Sequence, residues 1–226
     1  MEVSVKVDGD NVKPISEHLI GIFFEDINYA ADGGLYAELV QNRDFEYSSQ
    51  DHRNWNSQYA WSVKNGNAVF TIAEENPIHA NNPHYAVLDI QQPGASLVNT
   101  GFDGIAVKKG EKYDFSFFGK MLQGKGGKVK VALVNKEGKE IGQTIVKVTS
   151  ADWKKQKAVM LVTEDAADAT LAVTPQTIGK YALDMISLFP QNTFKGRKNG
   201  LRADLAQTLA DMKPRFVRFP GGCVAH

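Results

Sequence analysis

The sequence predicts a mainly β fold: an antiparallel β-sandwich inserted between two short α/β fragments. Three observations carry this. From Phe70 to Phe189, apolar and polar residues alternate in short runs separated by turn residues, at the spacing of about 8–12 residues expected of a sandwich. Upstream, Leu19–Phe24 (Leu-Ile-Gly-Ile-Phe-Phe) is an unbroken apolar run, which reads as a strand buried on both faces. Downstream, Leu201, Leu205, Leu209 and Met212 mark one face of an amphipathic helix, and Phe216–Phe219 follows as a short strand.

The elements follow in order. After the Leu19–Phe24 run, Gly33-Gly34 precedes Leu35, Leu39 and Val40, read as a short helical stripe. The alternation then takes over. In Lys112–Phe117 the aromatics Tyr113, Phe115 and Phe117 take one face, and in Lys128–Leu133 the lysines point outward. Asn135-Lys136-Glu137-Gly138 suits a hairpin turn into Ile141–Val148, because Asn and Gly tolerate positive φ. Further strands are expected over Gln156–Val162, Ala169–Val173 and Tyr181–Phe189, and no helical stripe interrupts Trp61 to Phe189. In the last segment Asn199 or Gly200 is the expected helix cap, Asp204 sits in the positive first turn, and Pro214 stops the helix. A short strand closed by Pro220-Gly221-Gly222 completes the chain. Three units result: 1–50, the inserted module 51–192, and 193–226.

Composition narrows the function. The chain has 226 residues, 42% hydrophobic and 23% charged, an ordinary globular balance. Lys plus Arg (26) equals Asp plus Glu (26), so no clustered basic surface advertises a nucleic-acid or anionic-membrane partner. No apolar run is long enough to span a bilayer, and Met1–Lys6 lacks the layout of a signal peptide. One cysteine, Cys223, excludes an internal disulfide and a zinc site built on paired thiolates. No cofactor is called for.

Several motifs have two readings. Gly119–Lys125 matches the start of a phosphate loop, but Gly126 stands where Ser or Thr must hold magnesium and a strand follows, so a hairpin is expected. His79 and His84 lack a third ligand and read as surface-loop residues, not a metal pair. Cys223 has only His226 nearby as a base, and a half-buried thiol lining a site is expected. Trp55, Tyr59, Trp61, Tyr85 and Trp153 are candidates for stacking on sugar rings; filling or rimming the sandwich core is the alternative for each. Glu25 and Asp26 end the first strand, where neighbouring side chains point to opposite faces, so they are not a catalytic pair. Arg218 ends the second, facing either the same pocket as Glu25 or a purely structural ion pair.

Ile20–Asp26, Gly33–Leu39 and Asn42–Glu46, followed by Gly200–Leu205 and Lys213–Cys223, resemble the opening segments of family 51 α-L-arabinofuranosidases, in the family's order. The resemblance implies an incomplete (β/α)8 barrel, its first strands separated by a jelly-roll, galactose-binding-like sandwich of carbohydrate-binding type. It implies a retaining hydrolase that removes terminal arabinofuranose from plant polysaccharides or oligosaccharides, secreted or periplasmic. It assigns Glu25 to hydroxyls of the bound furanose, Arg218 to support of the site, and Cys223 to the position beside the sugar. It places the acid/base and nucleophile glutamates on later strands, so no catalytic residue is expected in this chain. Val224-Ala225-His226 departs from the family's usual continuation. The implied partner is an arabinose-containing glycan, and the bared barrel strands suggest homo-oligomer formation. A free-standing glycan-binding module, or a spacer that binds no sugar, remains the alternative for the sandwich.

Overall fold

A computed structural model describes residues 3–10 and 12–222. Its strands are β1 (Ile22–Phe23), β2 (Trp61–Lys64), β3 (Ala68–Ala73), β4 (Tyr85–Ile90), β5 (Ser96–Asn99), β6 (Ile105–Val107), β7 (Lys112–Gln123), β8 (Gly127–Val134), β9 (Glu140–Val148), β10 (Lys154–Leu161), β11 (Ala166–Pro175), β12 (Gly179–Pro190) and β13 (Val217–Arg218). Helix α1 spans Ala203–Asp211. One antiparallel sheet has the order β10-β7-β12-β4-β3 and the other β2-β5-β11-β8-β9, with β6 also pairing β11. The expected antiparallel sandwich is therefore present, running from β2 at Trp61 to β12.

Alternation builds its core. Tyr113, Phe115 and Phe117 on β7, and Val129, Val131 and Leu133 on β8, are all buried in one apolar cluster shared by both sheets. The Asn135–Lys139 turn closes as expected, with Gly138 at φ 81°. The Gly119–Lys125 motif is the end of β7 and its turn, not a loop opening a helix.

Strand β12 changes face midway. Tyr181 and Leu183 point inward, and then Ile186 and Leu188 do, a shift from odd to even positions. Against β7, Asp184 pairs Phe118 and Ser187 pairs Ser116, so β12 carries one extra residue. Such a bulge flips the side-chain parity beyond it. Strand β4 pairs β12 only as far as Leu183. Beyond the bulge the segment around Glu38–Arg43 takes over: Ile186 N–H donates to the Arg43 carbonyl (2.9 Å), and Leu39 N–H to the Leu188 carbonyl (3.0 Å).

That takeover corrects one expectation. Leu35, Leu39 and Val40 form no helix; their segment is irregular, with Asn42 and Phe45 at positive φ. Its apolar residues spread into the sandwich: Val40 and Phe45 are in the shared core, and Leu39 packs on it. Two further corrections concern the ends. Leu19–Phe24 yields only the two-residue β1, which pairs in parallel with β13. It is not buried on both faces, since Ile20, Phe23, Val217 and Phe219 are each more than half exposed. Helix α1 forms, but Arg202 is its N-cap instead of Asn199 or Gly200, and only Ala206 is fully buried on it. Leu205 and Met212 keep the apolar stripe in solvent. Among the described residues no helix is long and apolar enough to cross a membrane.

Candidate functional site

The pairing of β1 with β13 makes the first candidate corner. Ile22 and Phe24 donate backbone N–H groups to Phe216 and Arg218, which aligns the two strand ends. Glu25, just past β1, accepts the Gly222 N–H at Oε1 (3.2 Å). A Cβ at Gly221 would collide with the Glu25 side chain, so glycine permits this approach. The Arg218 guanidinium lies 4.8 Å from the Phe23 ring centroid. Glu25, Arg218 and the Pro-Gly-Gly turn thus share one corner. Cys223 lies outside the described residues.

The second candidate is aromatic. Trp55 stacks on Tyr47 (centroids 4.1 Å apart), and Tyr59 lies 6.1 Å from both rings. His52 flanks Trp55 at 5.4 Å, and Tyr29 meets Phe102 edge-on at 5.3 Å. Tyr47, Trp55 and Tyr59 are each half-buried. Burial pushes Tyr47 up to about 12, with Asp32 adding to it, so its hydroxyl stays protonated. Of the other aromatic candidates, Trp61 went to the core, and Tyr85 went to a second cluster that a half-buried Trp153 covers. Trp61 is 7% exposed, tilted on Phe45 at 5.3 Å, and donates its indole N–H to the Asn42 carbonyl (2.8 Å). Tyr85 is 2% exposed and donates its hydroxyl to the Glu75 carbonyl. Trp153 covers Tyr85 edge-on, and the Lys120 ammonium sits 4.5 Å from the Trp153 ring.

The histidines separate. His79 stays in its loop and caps Asn81, whereas His84 is held by Glu46 (2.6 Å) and Glu74 (3.2 Å). Burial acts to lower His84, but Glu46 and Glu74 outweigh it and hold the ring above its usual value. Among the described residues no group of three or more His, Cys, Asp or Glu side chains is placed to hold a metal.

Two hollows flank residues 33–47. A broad cleft of about 800 Å³ runs from Tyr36 and Phe102 past Glu111 to Arg202 and Asp204. A smaller one of about 210 Å³ is walled by Tyr36, Tyr47, Phe102 and Met185, with Asp32, Glu38, Arg43 and Asp44. Glu38 touches both. Its Oε1 accepts backbone N–H groups from Leu39, Val40 and Leu188, and its Oε2 faces the Arg43 guanidinium at 3.6 Å. Burial pushes its carboxyl up to about 7 against these partners. Asp184, at the bulge, accepts from Met185 N–H and from Asn82, and burial pushes it up to about 8. Sequence reasoning missed Tyr47, Phe102, Glu38 and Arg43. The one available signal was Glu38 and Gln41 interrupting an otherwise apolar stretch, since buried polar groups need partners.

Comparison with known proteins agrees with this architecture. The chain is 40% identical over 213 residues to an extracellular exo-α-L-arabinofuranosidase of Streptomyces chartreusis, covering 94% of this chain and 25% of that protein. It is 32% identical over 236 residues to α-L-arabinofuranosidase 1 of Arabidopsis thaliana, covering 98% of this chain and 34% of that protein. A solved arabinose-bound α-L-arabinofuranosidase, MgGH51, superposes with a TM-score of 0.78 at 31% identity, over 91% of this chain and 35% of that one. The chain thus spans between a quarter and about a third of the relatives it matches. The match runs across both flanks and the sandwich, as the family 51 resemblance implied. Residues 37–180, from the segment that completes β12 to the start of β12 itself, match the carbohydrate binding domain family, and the chain belongs to it.

Proposed function

We propose that this chain is the glycan-binding part of a retaining glycoside hydrolase that removes terminal α-L-arabinofuranosyl units from plant polysaccharides or oligosaccharides. The observation that carries the binding role is the half-buried Tyr47, Trp55 and Tyr59 group, set in a sandwich of the carbohydrate binding domain family. Aromatic faces at a surface stack on the C–H face of a sugar while its hydroxyls stay hydrated. The hydrolase role rests on the corner of Glu25, Arg218 and Gly222, where the family resemblance assigns Glu25 and Arg218 to a furanose. Cys223 completes that assignment by sequence position. Retention needs two carboxylates about 5–5.5 Å apart. The resemblance assigns both to strands beyond β13, so this chain alone turns over no substrate.

The test is affinity electrophoresis of the whole chain through gels containing arabinoxylan or branched arabinan. Retardation is expected, and Trp55→Ala should weaken it by about tenfold, the value of one lost stacking contact of roughly 1.4 kcal/mol. Unretarded migration in both gels would support the spacer reading instead. An aryl α-L-arabinofuranoside, incubated with the same chain, should release no phenol.

A further inference from the structure

We propose that the 210 Å³ hollow beside Tyr47 is a subsite for one neutral, pentose-sized sugar unit at a chain end or branch, held by Arg43, Glu38 and Asp44. This rests on the glycan-binding reading above and assigns the residues that select the sugar. Four observations converge on it.

The first is unmet hydrogen bonding. Glu38 is 3% exposed, yet its Oε2 accepts no hydrogen bond, and the buried Nε of Arg43 donates none. The Arg43–Glu38 separation of 3.6 Å is an ion pair without a hydrogen bond. Buried donors and acceptors are nearly always satisfied, so one donor and one acceptor left open on neighbouring side chains are a place for a ligand's hydroxyls, each of which can donate and accept. Second, the walls are of the right kind. Tyr36, Tyr47, Phe102 and Met185 supply apolar and aromatic area around a few convergent polar groups, the make-up of small-molecule sites.

Size and charge then choose the ligand. At about 210 Å³ the hollow is on the scale of a single small sugar ring. A polysaccharide can therefore enter only by an end or a side branch. Asp32, Glu38 and Asp44 against the single Arg43 disfavour a uronate, whose charge would meet three carboxyl groups. Arg43 in the wall, and the absence of a metal-holding group among the described residues, disfavour a cation. Neutral hydroxyls suit both signs.

Finally, the hollow shares a wall with the aromatic group: Tyr47 lines it and also stacks on Trp55, so a glycan held along Trp55 and Tyr59 lies within one side chain of it.

The experiment titrates the whole chain with methyl α-L-arabinofuranoside by calorimetry and, in parallel, measures retardation by branched arabinan. Arg43→Lys keeps the charge facing Glu38 but removes the planar fork, and Asp44→Asn keeps shape while removing charge. Both should weaken the monosaccharide by about tenfold or more, as expected when hydrogen bonds to a charged group are lost. Melting temperatures of both variants identify any loss that is only unfolding; whichever variant melts as the wild type decides. Arabinan binding that neither variant changes, with no heat from the monosaccharide, overturns the subsite and leaves the binding module standing. A wild-type chain that binds neither ligand overturns both readings.

Discussion

Asp184 makes the stability of this chain depend on pH in a direction opposite to ordinary acid denaturation. The carboxyl is fully buried at the β12 bulge and its pKa is raised to about 8, first by burial and then by Asp44 and Glu46. In the unfolded chain an aspartate ionises near 3.9. Between pH 5 and pH 7 the folded state therefore binds a proton that the unfolded state has released. Stability must fall as pH rises through this window, by about 1.4 kcal/mol per unit and up to about 2.7 kcal/mol across it. Glu38, raised to about 7, acts with the same sign, and so does His84, whose raised folded value makes its contribution greatest at low pH. Asp184→Asn isolates the largest contributor. The amide keeps an oxygen for the Met185 N–H, and Asn82 can turn its own oxygen toward the new NH₂ group. The variant should match the wild type near pH 5 and exceed it at pH 7 by up to about 2–3 kcal/mol. Urea unfolding at the two pH values, with a midpoint shift of about 1 M at pH 7, is the assay. A variant with the wild-type pH slope, or one less stable at pH 7, would refute a neutral buried Asp184.

Phe115, 1% exposed and 5.6 Å from Phe117, should cost about 3–5 kcal/mol when changed to Ala; denaturant melting checks it, and a loss within error would disprove the assigned inner face. Chains trimmed to 37–192 and to 51–192 should differ sharply, the first melting cooperatively and the second not, as read by circular dichroism. Removing β1, α1 and β13 should also abolish any dimer made through their exposed apolar faces, as light scattering would report.

How far the fold was legible depends on burial. Strands with one wet face announced themselves: β7 and β8 alternate because one side of each meets the core and the other solvent or lysine. Strand β4 did not, since it is buried on both sides. Ala86, Leu88 and Ile90 enter the main core, while Tyr85 and Val87 join a second cluster with Ala182 and Trp153. Its residues therefore show no period. For the same reason the alternation could not say that Trp61 turns into the core and Tyr85 into the second cluster. At the candidate site, Trp55 and Tyr59 were visible as residue types, but Tyr47 is their partner only through a loop closed by Asn42, which donates to the Asn56, Ser57 and Tyr59 carbonyls. Glu25 and Arg218 come to one corner through pairing across nearly the whole chain, which local pattern cannot encode.

The segment 37–47 is where these threads join, and it explains why the sandwich match begins at residue 37 instead of at the first sandwich strand. The bulge at Asp184 turns β12 away from β4 and would leave the Ile186 and Leu188 N–H groups unpaired. Arg43 and Glu38 satisfy them from outside the sandwich strands. An unmade buried bond costs about 1–3 kcal/mol, so the segment is a structural requirement of the bulge. Phe45, wholly buried between Trp61 and Phe70, anchors it by core packing. Having been fixed for these reasons, the same residues present Glu38, Arg43 and Tyr47 around one hollow on rigid backbone. A site that is to select a sugar needs that rigidity, because its hydroxyl partners must be held before the ligand arrives. In this chain the device that closes the fold also furnishes the proposed subsite, so an inserted residue between Glu38 and Arg43 would damage stability and binding together.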